Sequence, residues 1–208
     1  MMTAGKILEI SKRINALAEI GLTYAESPYD TERYEELRSI SRQMMSEIIG
    51  QPVPAIEGFF LNEHEYKTPK VDVRAVVFDK QDRILLVREK VDGLWSLPGG
   101  WADVGCSPSE AVAKEVFEET GLTVKPKRLI AVYDKKFHPH PPHLDYVYKI
   151  FIGCKLLGGE LRTAFDTLDA GFFAENSIPA LSKERVTPGQ IGIMFEYHRD
   201  PYLPAIFD

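Results

Sequence analysis

At 208 residues the chain is long enough for one domain with an appendage, or for two small domains. Its hydrophobic share of 44% and charged share of 27% are those of a globular protein, not of a disordered or membrane-embedded one. A formal net charge of −6 disfavours generic binding to nucleic acid or anionic lipid, and two cysteines are too few for a disulfide scaffold.

Reduced thiols suit the cytoplasm, which is the expected location. No apolar run reaches signal or membrane-spanning length. Residues 3–49 predict two helices. In the first, Ile7, Ile10, Ile14, Leu17 and Ala18 recur at helical spacing, and Gly21 is expected to end it. The second is expected to start after Asp30 as its cap. Its stripe is Tyr34, Leu37, Ser41, Met44 and Ile48, widened by Ile40 and Met45, with Gly50 and Pro52 as the stop. Two helices of this length bury too little alone. They must pack on the rest of the chain or on a second copy, and a homodimer is the expected state. Residues 51–70 contain Pro52, Pro54, Gly58 and Pro69 and read as a linker with at most one strand or hairpin edge. The expected organisation is a helical domain over 1–50, a linker over 51–70 and a larger domain over 71–208.

From Val71 the pattern changes to strands, over 72–78 and 84–88, with a turn at Asp79 to Asp82. Leu97-Pro98-Gly99-Gly100 follows, and a Gly pair lets backbone approach a ligand closely or simply makes a turn. Ser107-Pro108-Ser109-Glu110 is a capping box that opens a helix, and Gly121 is its left-handed stop. Ala113, Val116 and Phe117 are expected to face a core. Glu115, Glu118 and Glu119 stand at i, i+3 and i+4 on another face. Like charges at this spacing repel. Either the face is simply solvated, or a divalent cation with a preference for oxygen ligands resolves the conflict. A Gly pair at this distance before three carboxylates favours the second reading. Cys106 precedes the helix start without a nearby histidine, so a small hydrophobe is expected there, not a nucleophile.

Further strands are predicted near 128–134, 146–157 and 170–173, with a turn at Gly158-Gly159 and a short helix near 178–181. Thr187-Pro188-Gly189-Gln190 is a second capping box that opens a final helix to about Arg199. Strands mixed with a few helices predict α+β or mixed α/β. The loop carrying His138, His140 and His143 can contact substrate or hold metal, and its prolines need not let the three rings converge. Lys135, Lys136 and His138 are candidates for a phosphate or a base. Arg74 and Arg88, on neighbouring predicted strands, suit bidentate phosphate contact or a surface ion pair. Trp101, Phe137 and Tyr146 can stack on a base.

The residues from Gly100 to Leu122 resemble the signature of the Nudix hydrolases. Gly100, Glu115, Val116, Glu118, Glu119, Gly121 and Leu122 match in register, and Cys106 and Lys114 depart where Glu and Arg are usual. The strand Ile84-Leu85-Leu86-Val87-Arg88 and the lead-in Trp95-Ser96-Leu97-Pro98 extend the likeness. The helical piece is similar to one that precedes a Nudix domain in a subfamily of hydrolases of X-linked nucleoside diphosphates. Gly21-Leu22-Thr23-Tyr24, the segment from Tyr29 to Glu35 and the loop Gly99 to Gly105 carry that second likeness.

The resemblance implies an α/β/α sandwich on a mixed sheet, preceded by a small helical domain. It implies a Mg²⁺-dependent pyrophosphohydrolase, with Mn²⁺ as substitute. CDP-choline leads the substrates, then ADP-ribose or nucleotide sugars. Metal ligands would be Glu115, Glu118, Glu119 and the Gly100 carbonyl. Catalytic groups would be the same glutamates with Asp166, in a loop where many Nudix enzymes place a further acid; Asp169 is its neighbour there. Arg74, Arg88, Trp101, Asp103 and His138 would contact substrate. In the family the first Glu and the Arg commonly pair to brace loop against helix. Here Cys106 cannot pair, so Lys114 is expected to turn to Glu110, four residues earlier, or to Asp103. Two rivals remain: hydrolysis at an RNA 5′ end or exonucleolytic phosphodiester cleavage, and a nucleotide-sensing domain without turnover.

Overall fold

The computed structural model describes residues 3–60, 68–103, 105–162 and 166–208. Two compact units divide the chain: residues 1–68 with 142–144, and residues 69–141 with 145–208.

The first unit is built on helices α1 (Ala4–Tyr24), α2 (Pro28–Ile49) and α3 (Val53–Phe59). Thr3 caps α1 by accepting from the Lys6 N–H. Gly21 does not end α1, contrary to expectation. It lies within the helix where the Tyr34 ring crosses, and a Cβ there would come 2.5 Å from Tyr34 Cε1. Close packing of two helices, not chain reversal, is its use. Pro28 occupies the first turn of α2 with Ser27 as cap, so the helix begins earlier than the expected Asp30 cap. Gly50 closes α2 in the left-handed conformation. Helix α3 lies in the segment expected as a linker, with Pro52 as its N-cap. Any edge strand expected beyond it falls largely on residues 61–67, outside the described residues.

The inner face of the α1–α2 pair departs from the apolar stripes. Buried positions are Leu8, Ser11, Lys12, Asn15, Ala18 and Glu19 on α1, and Ser41, Arg42 and Met45 on α2. Ile10, Leu17, Leu37 and Ile40 are exposed. The interior seam is polar and hydrogen-bonded: Arg42 donates to Glu19 Oε1 at 2.6 Å and to Asn15 Oδ1 at 3.2 Å. A small apolar cluster of Leu8, Met45 and Ile56 completes the unit.

In the second unit the strands are β1 (Lys70–Phe78), β2 (Ile84–Glu89), β3 (Trp95–Ser96), β4 (Leu122–Asp134), β5 (Val147–Gly159), β6 (Thr167–Phe173) and β7 (Ile206–Phe207). They form one mixed sheet in the order β3-β2-β1-β5-β4-β7, with β6 also paired to β2. The central β1–β5 pair is parallel, with Asp72 opposite Lys149 and Arg74 opposite Phe151. Helices α4 (Pro108–Thr120) and α5 (Pro188–Arg199) belong to different core clusters. Val73, Ala75 and Val77 of β1 cluster with Val112 and Val116 of α4. Val76, between them, clusters with Ile191, Met194 and Phe195 of α5. The period-2 alternation of β1 thus places the two helices on opposite faces, and the unit is the expected α/β/α sandwich.

Both predicted capping boxes are formed, at Ser107/Glu110 and Thr187/Gln190. Phe117 is half exposed, with the Arg162 guanidinium 5.2 Å from its ring centroid; Ala111, Val112, Val116 and Thr120 form the buried face of α4 instead. The short helix expected at 178–181 is absent. A 3₁₀ turn covers Glu175–Ser177, and Leu181 bridges Trp95.

The polar seam generates a stability prediction. Removing one partner of a buried ion pair strands the other charge. Arg42→Met is expected to destabilise the protein by about 3–5 kcal/mol in urea unfolding. A change within experimental error would mean that the seam is hydrated.

Candidate active site

Backbone pairing places the glycine loop on β1. The Val73 N–H donates to the Gly100 carbonyl, Ala75 to Pro98 and Ala102 to Val71, each at 2.8–2.9 Å. Gly99 has φ +138, and a Cβ there would sit 2.0 Å from the Val73 carbonyl oxygen. Only glycine fits that approach. The loop is joined to α4 from its other side: the Gly99 N–H donates to Glu119 Oε2 at 2.9 Å. A Cβ at Gly100 would lie 3.0 Å from Glu115 Oε1. The α4 capping box holds the helix start, so three carboxylates are presented beside a fixed loop.

Their environments differ. Glu119 is buried, and burial pushes its carboxyl up to about 8 against the pull of Arg74 and the Gly99 N–H. Glu115 is raised too, chiefly by desolvation, with Glu118 and Asp166 adding to the rise and Arg74 opposing it. Glu118 is exposed, 4.0 Å from the Lys114 ammonium. Glu115 accepts no hydrogen bond from any described residue. Among the described residues, no three His, Cys, Asp or Glu side chains yet close into a metal group. The donor chemistry nonetheless fits a hard divalent cation: the groups are all oxygen, they repel one another, and Glu115 and Glu119 are partly stripped of water.

The loop–helix brace uses one of the two expected alternatives. Lys114 Nζ meets Asp103 Oδ2 at 2.7 Å, while Glu110 is occupied by the capping box. Asp103, expected as a substrate contact, is thus also the outer brace of the loop and stays exposed. Cys106 packs at the margin of the α4 core cluster, as a small hydrophobe would. Cys106 and Cys154 are both free thiols.

Arg74 also departs from its expected role. Its Nε donates to Asp72 Oδ1 at 2.8 Å and its Nη1 to the Leu97 carbonyl at 3.0 Å, and the residue is buried. It anchors the base of the loop instead of facing a phosphate. Arg88 is exposed, and its Nε donates to the Gly93 carbonyl at 2.8 Å. Trp101 is half exposed, and the Lys70 ammonium lies 5.5 Å from its ring centroid. Asp166 is exposed and within electrostatic reach of Glu115, whereas Asp169 lies in β6 opposite Arg88.

The histidine loop does not converge on a metal. His138 meets Asp208 at 3.1 Å and tilts against Tyr133. Lys135 pairs with Glu184 and Lys136 with Asp134. His140 lies between the Lys183 carbonyl, 2.7 Å from Nδ1, and Gln190 Nε2, 3.2 Å from its own Nε2. The carbonyl can only accept, so Nδ1 carries the proton and Nε2 accepts from the Gln190 amide.

Sequence reasoning missed the buried polar groups beneath the loop. Lys149 donates to Asp72 Oδ2, and both are buried. Glu89 accepts from Ser96 Oγ at 2.5 Å and pairs with Arg185 at 2.9 Å. Burial lowers Lys149 to about 8, against the attraction of Asp72. The available signal was a charged residue within otherwise apolar strand runs, at Asp72 and Lys149. Their pairing required the β1–β5 register.

Comparison with known proteins follows this division. Residues 5–60 match the family described as the UDP-X-like, N-terminal oligomerisation domain, and residues 68–191 match the NUDIX domain. The chain is 45% identical over 203 residues to a Bacillus subtilis protein named putative ADP-ribose pyrophosphatase YjhB, covering 98% of this chain and 97% of the relative. A solved structure named UDP-X diphosphatase is 33% identical, with TM-score 0.63 and full coverage of both chains. A Streptococcus suis structure named ADP-ribose pyrophosphatase is 44% identical, with TM-score 0.62, covering 68% of this chain and all of that one.

His140 gives a pH prediction. Burial is the main cause that depresses its pKa from 6.5 to about 4, so the fold prefers the neutral ring. Its contribution is full above about 6.5 and is lost as pH falls from there towards 4. Wild-type melting temperature should therefore fall more between pH 7 and 4.5 than that of His140→Gln. Equal falls would show that protonation is tolerated.

Proposed function

The chain belongs to the Nudix family and is a Nudix pyrophosphohydrolase, and we propose that it splits the diphosphate of ADP-ribose or of a UDP-linked compound at the carboxylate face of α4. The observation that carries this reading is the half-buried, unpartnered Glu115 carboxylate beside Gly100, with Glu118 and Glu119 on the same helix. Both substrate classes come from the names of relatives aligned over most or all of their length. CDP-choline, put forward by the likeness of the helical N-terminus, ranks after them.

Glu115, Glu118 and Glu119 would hold a divalent cation. The Gly100 carbonyl keeps one lone pair beyond its bond from Val73 and would serve as a further ligand. Mg²⁺, or Mn²⁺ in its place, would neutralise the diphosphate and lower the pKa of a bound water. Asp166, exposed near Glu115, is the candidate to take the proton as water attacks phosphorus. Arg88 keeps guanidinium donors for a phosphate oxygen, and Trp101 offers exposed aromatic surface to a base. One phosphoanhydride P–O bond breaks, giving a nucleoside monophosphate and a phosphorylated second moiety.

The test is a panel of ADP-ribose, UDP-sugars and CDP-choline with Mg²⁺ or with chelator. ADP-ribose or a UDP-sugar should be cleaved fastest, only with metal, and Glu115→Gln should lower kcat by about 10²-fold or more. Chelator-resistant turnover, or none across the panel, would overturn the reading.

The protein is further proposed to be a homodimer formed through its helical unit. The exposed apolar residues Ile10, Leu17, Leu37 and Ile40 support this, since the interior seam of that unit is polar. Light scattering should give a dimer mass for wild type and a monomer for Leu17→Glu/Ile40→Glu. An unchanged mass in the variant would place the contact elsewhere.

A further inference from the structure

Asp72, Arg74 and Lys149 form a buried charge set that the hydrolytic scheme does not use. Asp72 and Lys149 are direct partners in the parallel β1–β5 ladder, and their side chains meet across it. Arg74, two residues along β1, takes the remaining capacity of the same carboxylate through Nε and Nη2, at 2.8 and 3.3 Å. All three residues are nearly inaccessible to solvent, at 6%, 5% and 1% exposure. No bulk water touches the ammonium of Lys149 in a way that would make it a substrate contact.

Counting charge, two cations share one anion, so the set carries one surplus positive charge. Glu89, the nearby acid on β2, stands outside the set. Its carboxylate lies 4.0 Å from Arg74 and 2.9 Å from Arg185, and Arg185 also reaches Asp92 at 3.8 Å, so the surplus is a local property of the three-residue set. The surplus charge is held firmly in place. Arg74 donates to the Leu97 carbonyl, and its Cα lies against Gly99, whose N–H binds Glu119. Arg74 is within electrostatic reach of both Glu115 and Glu119, yet makes a direct ion pair with neither. A pair in direct contact would compete with a cation for carboxylate oxygens. A fixed charge at one remove reduces their mutual repulsion and leaves the oxygens open.

We propose that Asp72, Arg74 and Lys149 are an electrostatic positioning set, whose single surplus positive charge at the base of the glycine loop determines how tightly the carboxylate face takes a divalent cation. The proposal rests on the metal-dependent reading above. Its consequence has a sign that ordinary structural damage lacks. Lys149→Met removes the surplus and makes the site more negative, so cation binding tightens. Asp72→Asn doubles the surplus, so cation binding weakens. The double variant Asp72→Asn/Lys149→Met returns the surplus to one, carried by Arg74 alone. Its affinity therefore returns towards wild type, even though two buried interactions are lost.

The experiment is titration of the purified full-length protein with Mn²⁺, reading free ion by electron paramagnetic resonance without any substrate. Circular dichroism and melting temperature confirm that each variant is folded. Lys149→Met should lower the apparent Kd and Asp72→Asn should raise it, each by roughly three- to tenfold as expected for one charge acting through protein and water. The double variant should lie within about twofold of wild type on the same electrostatic argument. Lys149→Arg, which keeps the charge, should preserve wild-type affinity. Should one variant fail to fold, the remaining ones still carry opposite or null expectations. Weakening in both single variants, with the double weaker still, would show a purely structural role and overturn the proposal. Equal affinities throughout would overturn it while leaving the metal-dependent reading intact. Absence of Mn²⁺ uptake by wild type would overturn both.

Discussion

Gly99 lies so close to β1 that no side chain can stand between them, and the geometry of the site depends on that approach. Three backbone hydrogen bonds with β1, two donated by the strand and one by Ala102, hold residues 98–102 almost as an added strand, and Gly99 turns its N–H to Glu119. Loop and strand are thereby joined through main-chain atoms, and the helix joins them through the Glu119 carboxylate. The carboxylates of α4 inherit their spacing from this junction. The exposed Lys114–Asp103 pair adds a brace on the outside, and such solvent-facing pairs contribute little on their own. This explains how the chain can do without the glutamate usually found where Cys106 stands. The bond from Gly99 to Glu119 and the Lys114–Asp103 pair hold loop to helix in its place.

The second constraint is electrostatic. Burying Glu119 and half-burying Glu115 in one region raises the free energy of their ionised forms. Arg74 counters this from within the sheet, where Asp72 and the Leu97 carbonyl fix its guanidinium. An arginine that seemed suited to a phosphate is instead part of the foundation. In the proposed reading, the substrate-facing positive charge would come from residues nearer the surface, such as the exposed Arg88.

The helical unit reverses the usual relation between pattern and burial. Its interior holds Ser11, Asn15, Glu19, Ser41 and Arg42 beside Ala18 and Met45, and four apolar side chains of the expected stripes, Ile10, Leu17, Leu37 and Ile40, lie outside. A polar seam satisfied in this way specifies one register of the two helices, since a slip would strand Arg42 or Glu19 without its partner. Outward Leu and Ile residues then remain for contact with another surface.

How much was legible in the sequence depended on the range of the interaction. Local devices were read correctly: both capping boxes, the stop at Gly121 and the two central strand runs. Each depends on residues within a few positions of one another, so spacing alone carries the information. Gly21 was misread because its role depends on Tyr34 of another helix, and the extent of α1 could not be judged without it. Phe117 was assigned to the core because periodicity cannot say where a helix face ends. The three glutamates were singled out by their spacing on one helix face. Their unequal burial, and the bond from Gly99 to Glu119, depended on how loop and strand meet. By itself the sequence determined the local elements, the family signature and the oxygen-rich donor set, because these are properties of neighbouring residues. The tertiary structure alone decided that Asp72 faces Lys149, that Arg74 serves the loop and that Lys114 reaches Asp103. Those contacts join residues up to 77 positions apart, and strand register and loop docking bring them together.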